Sequence, residues 1–285
     1  MKLRQLFRLL LKDKLGLIGI VLLMMFFFVA IFAEQIIPYD PMKEHYDKNG
    51  ELLRMEPPSE EHWFGTNRLG RDVFSQVIAG TRVALFVGIT SAVMVTIIGT
   101  VIALIAGYFG GWLDDLLMRL TDVVYGIPFL PFAMIMVAVL GPSIRNIIIA
   151  IVLISWRTTT RVIRSEVLTL KQRTFIQAAK LSGASSARII FKHIAPNILP
   201  LSLVFGSLAM GWAIVTEASV SFLGYGDPLL ISWGKILFDA YVAQAITVAW
   251  WWVVPPGLAI TLLVMSGFFV SRSLEEILNP RLRKQ

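Results

Sequence analysis

The sequence predicts an all-α membrane protein with six transmembrane helices and with both termini on the cytoplasmic side. Hydrophobic residues make up 56% of the 285 residues. Charged residues make up only 16%, whereas a soluble domain has about 25%. The apolar residues are gathered into uncharged runs long enough to cross a bilayer, and most basic residues fall on alternate connecting segments. This pattern excludes an ordinary soluble enzyme, and it lacks the strict alternation of an outer-membrane barrel.

Six apolar runs are the candidate spans. The first, residues 15–33, follows five basic residues and is longer than the apolar part of a cleaved signal peptide, so we predict a retained signal-anchor helix. The other five runs are residues 83–113, 123–144, 146–156, 193–216 and 240–271. The third run contains Pro128 and Pro131, which membrane helices tolerate when neighbours satisfy the freed carbonyls. The fourth is short and needs the threonines after Arg157 to reach across, and we expect the fifth to continue to about residue 223.

These spans divide the chain into four predicted parts. They are a cytoplasmic N-terminus with the first span (1–34), an extracytoplasmic segment (35–82), a transmembrane core of five helices (83–272) and a cytoplasmic tail (273–285). The side that carries the termini receives 18 basic residues and the other side receives 8, which places the termini in the cytoplasm. The segment between the first two spans holds nine acidic residues, and we expect it to form a cap on the external face.

Cysteine is absent, and the three histidines, His45, His62 and His193, are far apart in the sequence. The chain therefore has no disulfide framework, no thiol nucleophile and no ligand spacing typical of a metal site. The formal net charge is +7. In a membrane protein such an excess marks cytoplasmic loops, so we predict neither a metal site nor a nucleic-acid partner.

The most informative stretch is the predicted cytoplasmic region at about 157–196, which carries eight basic residues and one acidic residue. Thr174 and Gln177 have the spacing of a capping box, which predicts a short helix to about residue 182. Gly183 is placed to end that helix in a left-handed conformation. Ser185 or Ser186 can then cap a second helix that runs into the fifth span.

Small residues surround this predicted turn: Ala178 and Ala179 precede Gly183, and Ala184 follows it. Small residues allow another backbone to approach closely. Two interpretations stay open from the residues alone. The segment is either a basic amphipathic helix resting on anionic lipid or a helix that docks into a groove of a cytoplasmic partner.

The same stretch resembles the "EAA" signature of ABC importer permeases. That signature reads Glu-Ala-Ala, three residues, Gly, nine residues, Ile, one residue, Leu-Pro. The chain keeps Ala178, Ala179, Gly183 and Pro196 at the matching positions. It departs from the signature with Gln177 for Glu, His193 for Ile and Ala195 for Leu.

Further stretches resemble the dipeptide/oligopeptide/nickel family of these permeases, in particular its C-type subunit. Residues 62–73, HWFGTNRLGRDV, are similar to the family's GTD-x-x-GRDV stretch. Residues 216–226, TEASVSFLGYG, are similar to EASLSFLGLG. Shorter matches lie at 232–234, 256–260 and 279–283. Together these stretches cover nearly the whole chain in the expected order.

The resemblance implies the type I ABC importer permease fold and a non-catalytic, pore-forming role in a prokaryotic cell membrane. It implies that a second homologous permease completes the pore as a heterodimer and that two cytoplasmic ATPases bind ATP and Mg. An extracytoplasmic solute-binding protein would deliver the substrate, and no cofactor is expected on this chain. The implied ATPase-coupling residues are Thr174, Gln177, Ala178, Ala179, Gly183, Ala184 and Pro196. Di- or oligopeptides are the expected substrates, with nickel or oligosaccharides as alternatives.

A secondary transporter is the alternative of a different class. The sequence contains no Walker A motif, so any ATP hydrolysis must come from another chain. Ion coupling would require intramembrane ionisable groups, for which Asp122 and Glu217 are the candidates. We expect Asp122 to form a local ion pair with Arg119. We expect Glu217, with Ser221 and Gly224, to serve helix packing or an external gate.

Overall fold

The protein is a helical bundle, seen in a computed structural model that describes residues 13–278. Regular structure within this range is entirely helical. The helices are α1 (Lys14–Ile31), α2 (Ala33–Ile36), α3 (Val73–Phe109), α4 (Gly111–Tyr125), α5 (Phe129–Leu140), α6 (Ile144–Lys171), α7 (Thr174–Leu181), α8 (Ser186–Tyr225), α9 (Trp233–Val242) and α10 (Trp250–Leu278). Among the described residues, β-bridges are limited to the isolated pairs Tyr46–Leu52 and Thr66–Asp72.

Five helices, α1, α3, α6, α8 and α10, are long and apolar enough to cross a membrane. A sixth span results if α4 and α5, which meet at an angle of 86°, are counted as one. The prediction of a mostly helical protein is therefore confirmed, with five spans or with six if the broken third span is counted. The break has a local cause. Gly126 is a poor helix former, and Pro128 disfavours helical backbone at the residue before it.

Two helices extend beyond the apolar runs that predicted them. The second span begins at Val73, ten residues before the expected start, because Asp72 caps α3 by accepting the Ser75 backbone N–H at 2.7 Å. The expected division at residue 82 therefore falls inside a helix. The helix of the fourth span, α6, is longer than its apolar run. It has 28 residues in all, because it continues through the following basic stretch to Lys171.

The bundle has two distinct ends. We call one the cap end; it contains residues 37–72, 141–143 and 226–249. Contacts across it include the Trp251 indole N–H, which lies 3.4 Å from the Thr66 carbonyl, and the Ile144 N–H, which donates to Asp227 at 3.3 Å. We call the other the basic end; it contains residues 108–111 and 171–188.

Within the cap, His62 and Asp72 form a buried pair whose Nδ1 and Oδ1 atoms are 2.9 Å apart. Because a carboxylate only accepts, His62 Nδ1 is the donor. The rings of Tyr39, His45 and His62 pack against one another with centroids 4.7 to 5.0 Å apart. This pairing fixes the segment that leads into α3.

Three groups of buried apolar side chains hold the bundle together. Trp233 and Trp252 are at the centre of the first, near the cap end, with residues of α1, α3, α8, α9 and α10. Side chains of α3, α5, α6 and α8 form the second. The third lies at the basic end and includes Ile176 of α7. Trp252 is only 2% exposed, so it packs inside the bundle and does not face lipid.

Close packing of α3 on α6 depends on two glycines. A Cβ atom at Gly99 would lie 2.8 Å from the Thr159 side chain, and one at Gly107 would lie 2.8 Å from Val167. The two glycines are about two helical turns apart and share a face of α3. Small residues of this kind let membrane helices approach each other closely, so α3 and α6 form a tightly packed pair that leads to the basic end.

Candidate functional site

The short helix α7 is anchored to the bundle by one apolar side chain. Ile176 is fully buried among residues of α3, α6 and α8. The ammonium groups of Lys171 and Lys180 each lie within 6 Å of the Tyr108 ring centre, at 5.8 and 5.7 Å. Such cation–π contacts add to the anchoring. The helix is therefore attached to the end of α3 as well as to its sequence neighbours.

The predicted capping box is wrong. Arg173 occupies the N-cap position with extended backbone, and Thr174 is already the first helical residue. The reason is the tight turn after α6, in which only Gln172 and Arg173 separate the two helices. Gln177 instead donates its side-chain N–H to the Lys171 carbonyl at 3.1 Å, which ties α7 to the end of α6.

The predicted turn at Gly183 is confirmed. Its φ of +78° is left-handed. The Gly183 N–H donates to the Lys180 carbonyl at 2.9 Å, and the Ala184 N–H donates to the Ala179 carbonyl at 3.0 Å. These two bonds define a Schellman motif, the common helix ending that requires a left-handed residue. Ser185 then caps α8 by accepting the Arg188 N–H at 3.3 Å, as expected.

From this cap, α8 continues into the membrane without a break. Its backbone follows a π-helical pattern over Ile189–Ile194, where the Ala195 N–H donates to the Ile190 carbonyl. Pro196 comes directly after this stretch. A proline lacks an N–H and clashes with the carbonyl four residues earlier, so wider helical turns accommodate it. Only the four residues 182–185 separate α7 from α8, which continues directly into a candidate membrane span.

One side of α7 and of the following turn is exposed; we call it the α7 surface. Leu181 is 90% exposed and Phe191 is 74% exposed. Of the predicted coupling residues, the exposed ones are Thr174, Gln177, Ala178, Gly183 and Pro196, whereas Ala179 and Ala184 are half-buried. Basic side chains border the surface at Lys171, Arg173, Lys180, Arg188 and Lys192. Exposed apolar residues with a basic border, at the end of a helix, are suited to docking a protein partner.

The second predicted group lies near the cap end, where α8 ends. Glu217 and Ser221 are each only 2% exposed, and the Ser221 hydroxyl donates to the Glu217 carboxylate at 2.6 Å. Gly224 has a φ of +88° and ends the helix against Phe238 of α9. These residues lie at the junction of α8 and α9, which is the geometry expected for helix packing. A role as an external gate stays a prediction.

Two ion pairs join α4 to α6. Asp122 pairs with Arg161, so the expectation that its partner is Arg119 is wrong. Asp114 forms two hydrogen bonds with Arg164, at 2.6 and 2.5 Å. Local sequence indicates neither partner, because the arginines are 39 and 50 residues away from the aspartates along the chain.

A cavity of about 590 Å³, which no motif in the sequence marks, opens between α5, α6, α8 and α10. Its wall is mostly apolar and aromatic, with Phe129, Phe205, Trp212 and Phe268 among the lining residues. Arg157 of α6 also lines it. An arginine inside an apolar span was the one signal in the sequence that could have indicated the site.

Comparison with known proteins matches residues 99–284 to the family described as "binding-protein-dependent transport system inner membrane component". The chain belongs to this family. Residues 2–58 also match the N-terminal transmembrane domain of oligopeptide transport permease C. Membership, together with the spanning helices, makes the chain a multi-pass inner-membrane transport permease and confirms the predicted fold class.

Curated relatives belong to the same family. A dipeptide transport system permease protein of Alkalihalophilus pseudofirmus is 37% identical, over 98% of this chain and 90% of the relative. An oligopeptide transport system permease protein of Bacillus subtilis is 35% identical, over 95% and 87%. A glutathione transport system permease protein of Pectobacterium atrosepticum is 37% identical, over 90% and 83%.

Proposed function

We propose that the chain is a pore-forming subunit of an ATP-driven importer that takes up di- or oligopeptides delivered by an extracytoplasmic solute-binding protein. The α7 surface carries this proposal, because exposed apolar side chains lie there on a short helix that a four-residue turn joins to a membrane span. The names of the relatives support peptides as the substrate class. A glutathione permease among them supports the import of small peptide-like molecules.

Two cytoplasmic ATPase subunits would supply the energy and would bind ATP and Mg, since this chain has no Walker A motif. One of them would bind the α7 surface, with Leu181 and Phe191 as its apolar contacts. Closure of the ATPases on ATP would move α7, and α8 would follow because only the hydrogen-bonded turn at 182–185 separates the two helices. The anchoring of Ile176 in the bundle supports transmission to α3 and α6 as well.

The basic end would face the cytoplasm and the cap end the exterior. An even number of spans would put both termini on one side, and the distribution of basic residues supports the cytoplasmic side. The cap end, with residues 37–72, would then be the surface on which the solute-binding protein docks.

A second homologous permease subunit would complete the pore. The cavity beside Arg157 is open on one side, and α5 beside it exposes Ile135 (63% exposed) and Val139 (76% exposed). Covering these side chains with a second permease would enclose a pathway between the two subunits. Nickel and oligosaccharides stay alternative cargoes of the same architecture. An ion-coupled secondary transporter is disfavoured because the matched family depends on a binding protein.

The test is co-purification of the tagged chain from cells that express the whole transport system. Leu181→Glu places a charge on the α7 surface, and Leu229→Glu places one on an equally exposed leucine (84% exposed) at the cap end. We expect wild type and Leu229→Glu to retain the ATPases and Leu181→Glu to lose them. Retention of the ATPases by Leu181→Glu would contradict docking at the α7 surface, and their absence from the wild-type complex would contradict the importer.

A further inference from the structure

Arg157 is the single ionisable residue among the described residues that line the cavity. It lies thirteen residues after the start of α6, which is about 20 Å along the helix from the cap end. The apolar core of a bilayer is about 30 Å thick, so Arg157 lies at membrane depth. A charged side chain at that depth is unfavourable and commonly marks the path of a substrate or ion.

Two neutral groups hold the guanidinium group in place. Its Nη1 donates to the Val124 carbonyl at 3.1 Å, and its central carbon lies 4.9 Å from the centre of the Tyr125 ring. These contacts orient the group without neutralising it. An arginine has five N–H donors, and one of them is bound to a protein acceptor in the described part of the chain. Most of its hydrogen-bonding capacity is therefore available to a ligand.

The neighbouring arginines on α6 provide a direct comparison. Arg161, one turn later, pairs with Asp122, and Arg164 pairs with Asp114. Neither of them lines the cavity. Arg157 forms no salt bridge with any residue that the structure describes. Of the three arginines within residues 157–164 of α6, the one that lines the cavity is the one that forms no ion pair with a described residue.

Hydroxyl groups accompany Arg157 in the wall. Ser155 and Thr158 both line the cavity. The Ser155 oxygen is buried and has no hydrogen-bond partner within residues 13–278. A buried polar atom without a partner is unfavourable, and a polar ligand in the cavity would relieve it. The wall thus combines a large apolar area with a cation and hydroxyl groups, which suits a small molecule with one anionic end.

We propose that Arg157 binds the free carboxylate of the peptide during its passage through the cavity. The planar guanidinium group matches a carboxylate with two parallel hydrogen bonds, and the aromatic wall would contact the rest of the peptide. A volume of about 590 Å³ accommodates a small peptide. This proposal rests on the proposed function and adds to it a residue that selects substrates by their carboxylate.

The experiment measures ATP-driven uptake of dialanine and of its C-terminal amide, at saturating concentration, by proteoliposomes that contain the assembled transporter and its binding protein. We expect Arg157→Gln to lower the uptake of dialanine by about tenfold or more. We expect the same variant to lower the uptake of the amide much less. Arg161→Gln breaks an ion pair one turn away and should leave the ratio of acid to amide unchanged. The binding protein is the same in every sample, so a change in this ratio originates in the permease.

A second pair of variants separates ligand binding from the structural role of Arg157 at the end of α4. Ser155→Asp adds an anion to the cavity wall and leaves Arg157 with its Val124 contact, whereas Ser155→Asn is the neutral counterpart. We expect Ser155→Asp, but not Ser155→Asn, to lower dialanine uptake several-fold. The carboxylate site would be overturned by equal dialanine uptake in Ser155→Asp and Ser155→Asn. It would also be overturned by an unchanged ratio of acid to amide uptake in Arg157→Gln. Neither result would contradict the proposed importer. A wild-type complex that imports neither of these compounds nor a longer peptide such as tetraalanine would overturn both proposals.

Discussion

Arg164 and Asp114 form a two-pronged ion pair, in which Nε and Nη2 donate to the two carboxylate oxygens at 2.6 and 2.5 Å. The pair joins the start of α4 to α6 near the basic end, and both side chains are largely buried. With the neighbouring pair of Arg161 and Asp122, it holds the broken third span against α6. We expect the basic end to move as one piece, because these pairs and the anchored α7 share the same helices.

Asp114→Asn removes the charge of this pair and one acceptor oxygen. We expect the variant to lose about 1–2 kcal/mol of stability, since the pair is partly shielded from solvent and its two bonds are well aligned. Thermal unfolding of the purified complex in detergent measures the loss. Asp115→Asn is the matched control, because Asp115 is the exposed next residue and forms no ion pair with a described residue. Equal melting temperatures for the two variants would contradict the structural role of the Asp114 pair.

Gly183 tests the turn that connects α7 to α8. A Cβ atom there would meet no neighbour within 4 Å, so the cost of substitution comes from the left-handed backbone and is about 1–2 kcal/mol for most residues. Asparagine tolerates that conformation. We expect Gly183→Asn to transport nearly as well as wild type. We expect Gly183→Glu to insert into the membrane but to assemble poorly with the ATPases. Peptide uptake and ATPase activity of the reconstituted complex measure both variants, and normal uptake by Gly183→Glu would contradict the coupling role of this turn.

Glu217 distinguishes a packing residue from an ion-coupling residue. Gln can still accept the Ser221 hydroxyl, whereas Ala leaves that buried hydroxyl without an acceptor, at a cost of about 1–3 kcal/mol. We therefore expect Glu217→Gln to keep ATP-driven uptake and Glu217→Ala to lower the melting temperature of the complex. Loss of uptake in Glu217→Gln, with normal assembly, would instead favour a proton-coupled mechanism.

Asp239 of α9 gives a prediction on pH. Burial raises the pKa of this carboxyl group, against the smaller opposing effects of Lys235 and Arg71. A raised pKa means that the folded state binds the proton more tightly than the unfolded state does. The contribution of Asp239 to stability is then fully present below the ordinary carboxyl pKa, about 4, and is lost as the pH rises through the raised value.

The matching experiment compares the melting temperature of wild type and Asp239→Asn from pH 4 to pH 7. We expect the variant to be the more stable protein at neutral pH and the difference to shrink towards pH 4, because the wild-type carboxyl is then protonated. A difference that stays constant over this range would show that the titration of Asp239 does not contribute.

Much of the bundle follows from local sequence. Uncharged runs longer than a bilayer's thickness identify the spans, because backbone groups in lipid must be satisfied within a helix. The turn at Gly183 is equally local, since its two hydrogen bonds join residues three and five positions apart. The ends of α3 and α6 were harder to predict. The polar start of α3 is helical because Asp72 caps it, and the basic end of α6 is helical because it packs against α3. An apolar run reveals neither interaction.

Tertiary structure alone decided which charges are paired. Asp122 had Arg119 one turn away in the sequence, yet it pairs with Arg161 on another helix, because the bend after Tyr125 brings α4 against α6. The same contact between α4 and α6 places Arg157 beside the Val124 carbonyl, in the wall of the cavity. Sequence by itself determined how often the chain crosses the membrane and where α7 turns, because those depend on neighbours a few residues apart. The partners of the buried charges depend on how distant helices pack, which no local spacing encodes.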